Sequence, residues 1–377
     1  MTNGQGAWRH VAGAALMAGL VGCASGAGEG EEAATPDEAT EQATPSPAPA
    51  PDPMAPTSSA EDALVGSLRA VTVVTADADA ALPFYEEGLS LSASEAPPTD
   101  TLASHWGATR INRVITLSRP GAEGAAVVRL VEVPGAAEAS RPGYDSQLVG
   151  ALGFGLPGSD LDGRTARVEA AGYETTAGVQ RMDFPRADGS TYEVGEVHLK
   201  APDDVLVLGV DRGEMTAIGP IDEAERLGGV AYASMLARDA SETGRFLRDV
   251  LGLEQRRAMS FRSSGPGGGM VGMVKGEEVS FEQWFSPGAT TGYLVLMELL
   301  DRDKAEAGSL GMESRGVSML SFETDDLAEV ARRWRAFSGE EATPEAIDDP
   351  SFGRVASLMI RTPDGLPVQV FERAGRT

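Results

Sequence analysis

Few side chains in this sequence can do acid–base or metal chemistry. Beyond His10, near the start, there are two histidines, His105 in "SHWGATR" and His198 in "GEVHLKAP". Imidazole is the acid or base that titrates near neutral pH and a frequent metal ligand. Glu193 and Glu196 stand just before His198, and Glu132 and Glu298 stand in the β-like runs "AAVVRLVEV" and "YLVLMELL". Two imidazoles with a nearby carboxylate would suit Zn, Mn, Fe or Ni. Two separate strand histidines with no shared role are the plainer alternative. Trp106, beside His105, offers a flat apolar wall of the kind that lines ligand pockets. A nucleophile is harder to find. No G-x-S-x-G occurs, and two scattered histidines do not define a Ser-His-Asp set. "SSGPGGGMVGMVKG", Ser263 to Gly276, lacks the G-K-[ST] of a phosphate loop and opens no helix. It reads as a loop between strands, either solvent-facing or lying over a site mouth with Met270 and Met273 as adaptable apolar contacts. Catalytic residues stay unassigned.

Cys23 is the one cysteine, so no disulfide can form within the chain. It follows an apolar run, Val11 to Gly22, that is preceded by Arg9 and His10 and no acid. The run is too short to span a bilayer but suits a secretory signal. Leu20-Val21-Gly22-Cys23 resembles the bacterial lipobox, in which the cysteine is lipidated and becomes the new N-terminus. That resemblance implies a signal peptide at 1–22, a lipid anchor on Cys23 and a place in the cell envelope. With Ala24 rather than Asp next, it implies the periplasmic face of the outer membrane in a Gram-negative cell. A plain signal peptide, with Cys23 incidental, is the alternative. From there to residue 62 the chain is Ala-, Pro- and Glu-rich with no Lys, Arg or aromatic residue. Such a stretch cannot bury enough apolar surface to offset its ordering entropy, so 23–62 reads as a disordered tether.

The 377 residues carry a formal charge of −26, and 42% are hydrophobic. That balance supports a folded core and argues against nucleic acid, whose phosphates need Lys and Arg. It also makes a neutral or basic small molecule easier to attract than an acidic one.

Beyond the tether the chain repeats itself. "FYEEGLSLSASE" from Phe84 returns as "FLRDVLGLEQRR" from Phe246. Each phrase follows a strand pattern, Val71–Thr75 or Tyr232–Leu236, and an Asp positioned as helix N-cap, Asp77 or Asp239. Weaker copies place a cap at Asp160 before a helix through Val168, and Asp325 or Asp326 before a helix through Trp334. Short β-like runs follow every helix. The unit is strand, helix, then about three strands, at a spacing of roughly 75 to 85 residues.

Four such βαβββ units, the helix phrase "FY-x-x-x-L" or "F-L-x-x-x-L-G-L", and the ending "RTPDGLPVQVFE" together resemble the vicinal oxygen chelate superfamily. That group includes glyoxalase I, extradiol dioxygenases and bleomycin-resistance proteins. The resemblance covers nearly everything after the tether. It implies an α+β fold of four modules paired into two cup-shaped domains, expected at 63–215 and 225–377, with ligand inside a cup. It makes Phe84 and Phe246 core residues. Pairing within one chain or across a homodimer is left open.

The resemblance also implies a divalent metal, held by a His or Gln early in each first strand and a Glu in the last strand. The first-strand positions here are Ala70, about Gly153, Tyr232 and about Met319. The last-strand positions fall near Leu208 and on Gln369, with Glu132 and Glu298 in the other two modules. A one-residue slip would turn those two acids out of the cup. The usual metal set is therefore expected to be missing, and no cofactor is expected. The pocket candidates are His105, Trp106, Glu132, His198, Tyr232, Glu298 and Gln369. The reading is a cup that binds a small molecule without the family's metal. The alternatives are a glyoxalase- or dioxygenase-type enzyme with unusual ligands and a structural or interaction protein of the envelope.

Overall fold

The computed structural model describes residues 54–374, apart from 123, 187–188 and 302–309. The expected signal segment, Cys23 and the expected tether up to residue 53 lie outside the described residues.

All four modules are present. Their first strands are Val65–Thr75, Gly150–Pro157, Tyr232–Leu236 and Ser314–Thr324. The module helices begin at Ala78, Leu161, Ala240 and Leu327. Each starts where an Asp side chain accepts a backbone N–H of the first turn. Asp77 takes that of Ala80, Asp160 of Gly163, Asp239 of Glu242 and Asp326 of Glu329, all at 2.9–3.0 Å. The first helix, Ala78–Pro83, runs on as a wider π-turn over Phe84–Gly88. Both repeated phrases then leave the helix through a left-handed residue, Ser90 at φ 54° and Gly252 at φ 72°. Phe84 and Phe246 are fully buried and anchor their helices.

The modules join into two mixed nine-stranded sheets, and the pairing is not one with two and three with four. Module one pairs with module four through antiparallel first strands, Val71 opposite Leu320. Module two pairs with module three in the same way, Ala233 opposite Phe154. Both cups are therefore completed within one chain, and the expected units 63–215 and 225–377 each contribute half of each cup. Helices pair differently. Phe84 of module one meets Tyr173 of module two edge-on at 5.0 Å, and Phe246 of module three meets Trp334 of module four at 6.1 Å. Apolar alternation tells a strand which face to bury but not which strand lies along its edge, so the sequence pattern left this exchange open.

One core joins the outer faces of both sheets and the four helices, through residues such as Leu320, Phe154, Val168 and Leu247. Two further apolar clusters fill the inner faces. One lines the cup of modules one and four, here the outer cup, and the other lines the cup of modules two and three, the inner cup.

Two local expectations change. His105, expected on a strand, lies in a helix, Asp100–Trp106, inserted in module one. Thr99 caps it, accepting the N–H of Leu102 at 3.1 Å, and Gly107 ends it at φ 77°. Residues 54–62, the end of the expected tether, pack against the inner cup's edge strand, Glu254–Arg262. Thr57 and Ser58 donate to Glu254, and Arg256 donates to the Met54 carbonyl.

Candidate functional site

The two cups have different interiors. In the outer cup the inserted helix presses Leu102, Ala103 and Trp106 onto the sheet, all buried. Beneath them lies Arg129, fully buried, donating to Asp349 at 2.9 Å and to Gln369 at 2.8 Å, and also to Ser321. Its guanidinium lies 4.8 Å from the Trp106 ring and 5.3 Å from that of Phe352. Gln369 is tied in as well, donating to Asp349 at 3.1 Å and to Ser357 at 3.2 Å. His105 spans the cup wall, with Nδ1 3.2 Å from Glu345 and Nε2 2.8 Å from Ser357. Trp106, Gln369 and His105, all pocket candidates, thus serve to close this cup.

The inner cup holds a cavity of about 380 Å³. Its walls come from alternating residues of the strands Thr191–Ala201, Val205–Asp211, Glu254–Arg262 and Tyr293–Leu299. One row across its floor runs Tyr293, Tyr232, Gly155, Leu208, His198 in register. Tyr232 stacks on Tyr293 at 5.1 Å, and Tyr293 stacks on Phe285 at 4.4 Å. Gly155 makes room for the Tyr232 ring, since a Cβ there would lie 1.9 Å from Cε1. Burial raises both phenols above their ordinary pKa, and the Glu196 carboxylate adds to the rise, so both stay protonated.

The adjacent row runs Arg257, Gln283, Val295, Ser234. Ser234 Oγ and Gln283 Oε1, with Ser146 Oγ on the same wall, are buried and have no hydrogen-bond partner among the described residues. Buried polar atoms are nearly always paired, so three unpaired ones on one cavity stand out, although Trp106 Nε1 and Arg129 Nε in the outer cup are unpaired as well. Arg212 and Arg257 converge nearby. Each donates to the Tyr192 hydroxyl, at 3.3 and 3.4 Å, and each lies over an aromatic ring, Tyr192 at 5.3 Å and Phe184 at 5.0 Å.

His198 is buried in this wall. Its Nε2 is 2.5 Å from Glu196 and its Nδ1 2.9 Å from the Gly269 carbonyl. Burial alone would lower its pKa, but the bond to Glu196, that carboxylate's charge and the Gly269 carbonyl outweigh it, and the net shift is upward. The imidazolium can donate on both sides. Gly269 belongs to the glycine-rich segment, which does close over the cup. Met270 lines the cavity, Met273 is buried, Ser146 N–H donates to the Val271 carbonyl at 2.8 Å, and Gln147 donates to the Gly272 carbonyl.

Of the pocket candidates, His198 and Tyr232 line this cavity. His105 and His198 lie in different cups and cannot share a ligand. Glu132 and Glu298 face neither interior. Glu132 accepts the N–H of Ala78 at 3.1 Å and Glu298 that of Ala240 at 2.9 Å, each holding the first turn of its module's helix. Glu372 does the same for Leu327 at 3.3 Å. The last-strand acid is thus a helix-terminus anchor in three modules. Sequence reading missed Arg212, Arg257, Tyr192, Tyr293, Ser234 and Gln283. Their period-two placement was available, as in Leu206, Leu208, Val210, Arg212 and in Arg257, Met259, Phe261.

The sequence matches no protein-family model and no curated protein. Solved structures do match in fold. Glyoxalase I from Zea mays is 13% identical, with 83% of this chain and 94% of that one covered at a TM-score of 0.55. A mutant form of the same maize enzyme gives 13% identity, 83% and 95% coverage and a TM-score of 0.53. A Bacillus subtilis protein provisionally named a dioxygenase is 14% identical over 82% of this chain and 86% of that one, with a TM-score of 0.50. The chain therefore has the fold of glyoxalase I, four βαβββ modules paired into two cups.

Proposed function

We propose that this chain binds a small organic molecule in its inner cup and does so without the divalent metal of glyoxalase-like enzymes. The observation that carries the reading is the 380 Å³ cavity with the unpaired atoms of Ser146, Ser234 and Gln283 on its walls. Pockets of this size, mostly apolar with a few placed polar groups, are typical of small-molecule sites.

The donors present do not fit a metal. No group of three or more His, Cys, Asp and Glu able to hold an ion occurs among the described residues. The inner cup's one imidazole has both nitrogens engaged, and Leu208 stands where a last-strand carboxylate is expected. A proton-transferring enzyme is the second reading, favoured by the Glu196–His198 pair on the cavity wall. Lipidation at Cys23 would hold the cup at the envelope, and this part rests on the sequence pattern alone.

The test is metal analysis of the purified full chain beside titration with phenylnaphthylamine, a neutral apolar dye that brightens on burial. Expected are less than stoichiometric Mn, Fe, Ni and Zn and saturable dye binding lost in Ser234→Leu, which narrows the floor. Stoichiometric metal removed by chelator with loss of binding would overturn the metal-free reading. Dye binding indifferent to Ser234→Leu would overturn the cup as the site. Unchanged membrane fractionation of Cys23→Ala would overturn the anchor.

A further inference from the structure

One residue on the inner cavity comes from outside the four modules. Met54 lines the inner cup and is 7% exposed, packed into its apolar cluster. The residues after it, 55–62, are exposed apart from the half-buried Ser58, and the first strand of module one begins only at Val65. This segment thus brings one buried side chain to the cup and is otherwise held by a few polar contacts. Arg256 makes the central one. It is the extra residue at a bulge in Glu254–Arg262, where pairing with the next strand skips from Gln255 to Arg257. Its buried guanidinium lies 4.5 Å over the Phe285 ring and donates to the carbonyls of Met54 at 3.3 Å, Ser286 at 3.2 Å and Ala289. Phe285 is the outer member of the stack that runs through Tyr293 to Tyr232 on the cavity floor. Glu254 accepts from Arg256 at 2.5 Å, from Thr57 at 3.2 Å and from Ser58 at 2.5 Å. Gly288 lets its loop close onto the segment, since a Cβ there would lie 2.5 Å from the Ala60 nitrogen.

We propose that residues 54–62 are a detachable wall of the inner cup and that Met54 touches the bound molecule. The inference rests on the small-molecule reading above and adds a contact residue and a moving part to that site. A segment with one buried apolar side chain and a mostly exposed backbone opens more easily than the strands beneath it, so it lifts while both sheets stay folded. With the wall docked, the Met54 side chain closes one side of the cavity, and its unbranched thioether adapts to the shape lying against it. With the wall lifted, the cavity loses that side and its contacts. Docking and binding then favour each other by the same factor, as linked equilibria must. The ligand fastens the wall, and whatever draws the segment away weakens the ligand.

A thiol introduced by Met54→Cys in the full chain, with Cys23→Ser removing the one native cysteine, reports the position of the wall. Iodoacetamide labels a buried thiol in proportion to the population in which the segment has lifted. Phenylnaphthylamine is the ligand probe. The shorter side chain should by itself weaken the dye by roughly three- to tenfold relative to the parent. At a dye concentration about a hundred times the variant's own Kd, the lifted form should become about a hundredfold rarer and labelling should slow by about that factor. Thr57→Ala with Ser58→Ala removes two donors to the Glu254 carboxylate, and neither residue lines the cavity. A bond to a charged group is worth about tenfold in an equilibrium, so labelling without dye should speed up by about that much. The melting temperature should not move, because the wall opens by itself. Saturable dye binding that leaves labelling unchanged, or a dye affinity indifferent to Met54→Cys, overturns the wall while leaving the cup a binding site. Labelling that ignores the double alanine variant, or that tracks urea unfolding of the whole chain, overturns the separate opening. Failure of the dye to bind the parent overturns the small-molecule reading itself.

Discussion

The assignment of the outer cup to structure and the inner cup to binding is most directly tested at Asp349. Asp349 and Arg129 are both fully shielded from solvent. Burial weighs against the Arg129 charge and lowers its pKa, while Asp349 acts in the opposite direction. In Asp349→Ala the guanidinium keeps Gln369 and Ser321 as acceptors, but both are neutral and cannot balance its charge. Breaking a buried pair from one side costs about 3–5 kcal/mol. At about 2 °C per kcal/mol for a chain this long, the melting midpoint should fall by roughly 6–10 °C. The double variant Arg129→Met with Asp349→Leu removes both charges and leaves Gln369 bonded to Ser321 and Ser357. It should recover all but about 1–2 kcal/mol, since an apolar replacement of a buried pair is often near neutral. Urea unfolding and calorimetry read the stability, and dye titration of the inner cup should not change in any of the three proteins. A loss below about 1 kcal/mol in Asp349→Ala, or a double variant no better than the single, would refute the argument. Weakened dye binding in the double variant would refute the separation of the cups.

Three further outcomes follow from the geometry. Glu298→Ala and Glu132→Ala should each cost about 1 kcal/mol in urea unfolding, as lost helix-terminus bonds do, and leave metal content unchanged. Gly252→Ala should destabilise by about 1–2 kcal/mol in urea unfolding, because the backbone there is left-handed at φ 72° and a Cβ would come within 3.1 Å of the Leu64 Cβ. His198 gives a pH dependence. Its folded pKa is raised above the unfolded value of about 6.5, so its contribution is full below that pH and is lost as pH rises through the folded pKa. The urea midpoint should fall across that window in the parent and stay flat in His198→Phe; parallel curves would sink the assignment.

What the sequence revealed and what it hid divide along physical lines. The four Asp caps and the module order were legible because they rest on contacts only a few residues apart. The faces of Glu132 and Glu298 were not. In "YLVLMELL" both faces of the strand are buried, so apolar alternation is lost and nothing sets which way Glu298 points. The helix around His105 had readable signals, Thr99 before it and Gly107 after it, but it interrupts the expected module between two strands. The arginines of the inner cup were hidden by the overall charge. A total of −26 says little about a concave wall where residues from four strands converge.

The two cups share one plan, and besides the strand residues that face inward they differ in one kind of segment, the connection between strands on the far side of each module helix. In module one this connection folds as Asp100–Trp106 and inserts its apolar face into the outer cup, where Trp106 covers Arg129. In module three it is the glycine-rich segment, whose left-handed Gly269 and Gly272 leave no side chain to fill the space. A Cβ on Gly269 would come within 2.9 Å of His198, and one on Gly272 within 2.4 Å of Asp145 and Gln147. The backbone can therefore approach the inner cup closely and bond to its rim, with Met270 on the cavity and Met273 buried in the cup's apolar cluster. A helix with a tryptophan makes a plug, and a glycine-rich strap with two methionines makes a cover over a cavity. On the proposed reading, that difference, together with the buried Arg129 cluster supplied by the outer cup's strands, is what leaves the inner cup open to a ligand.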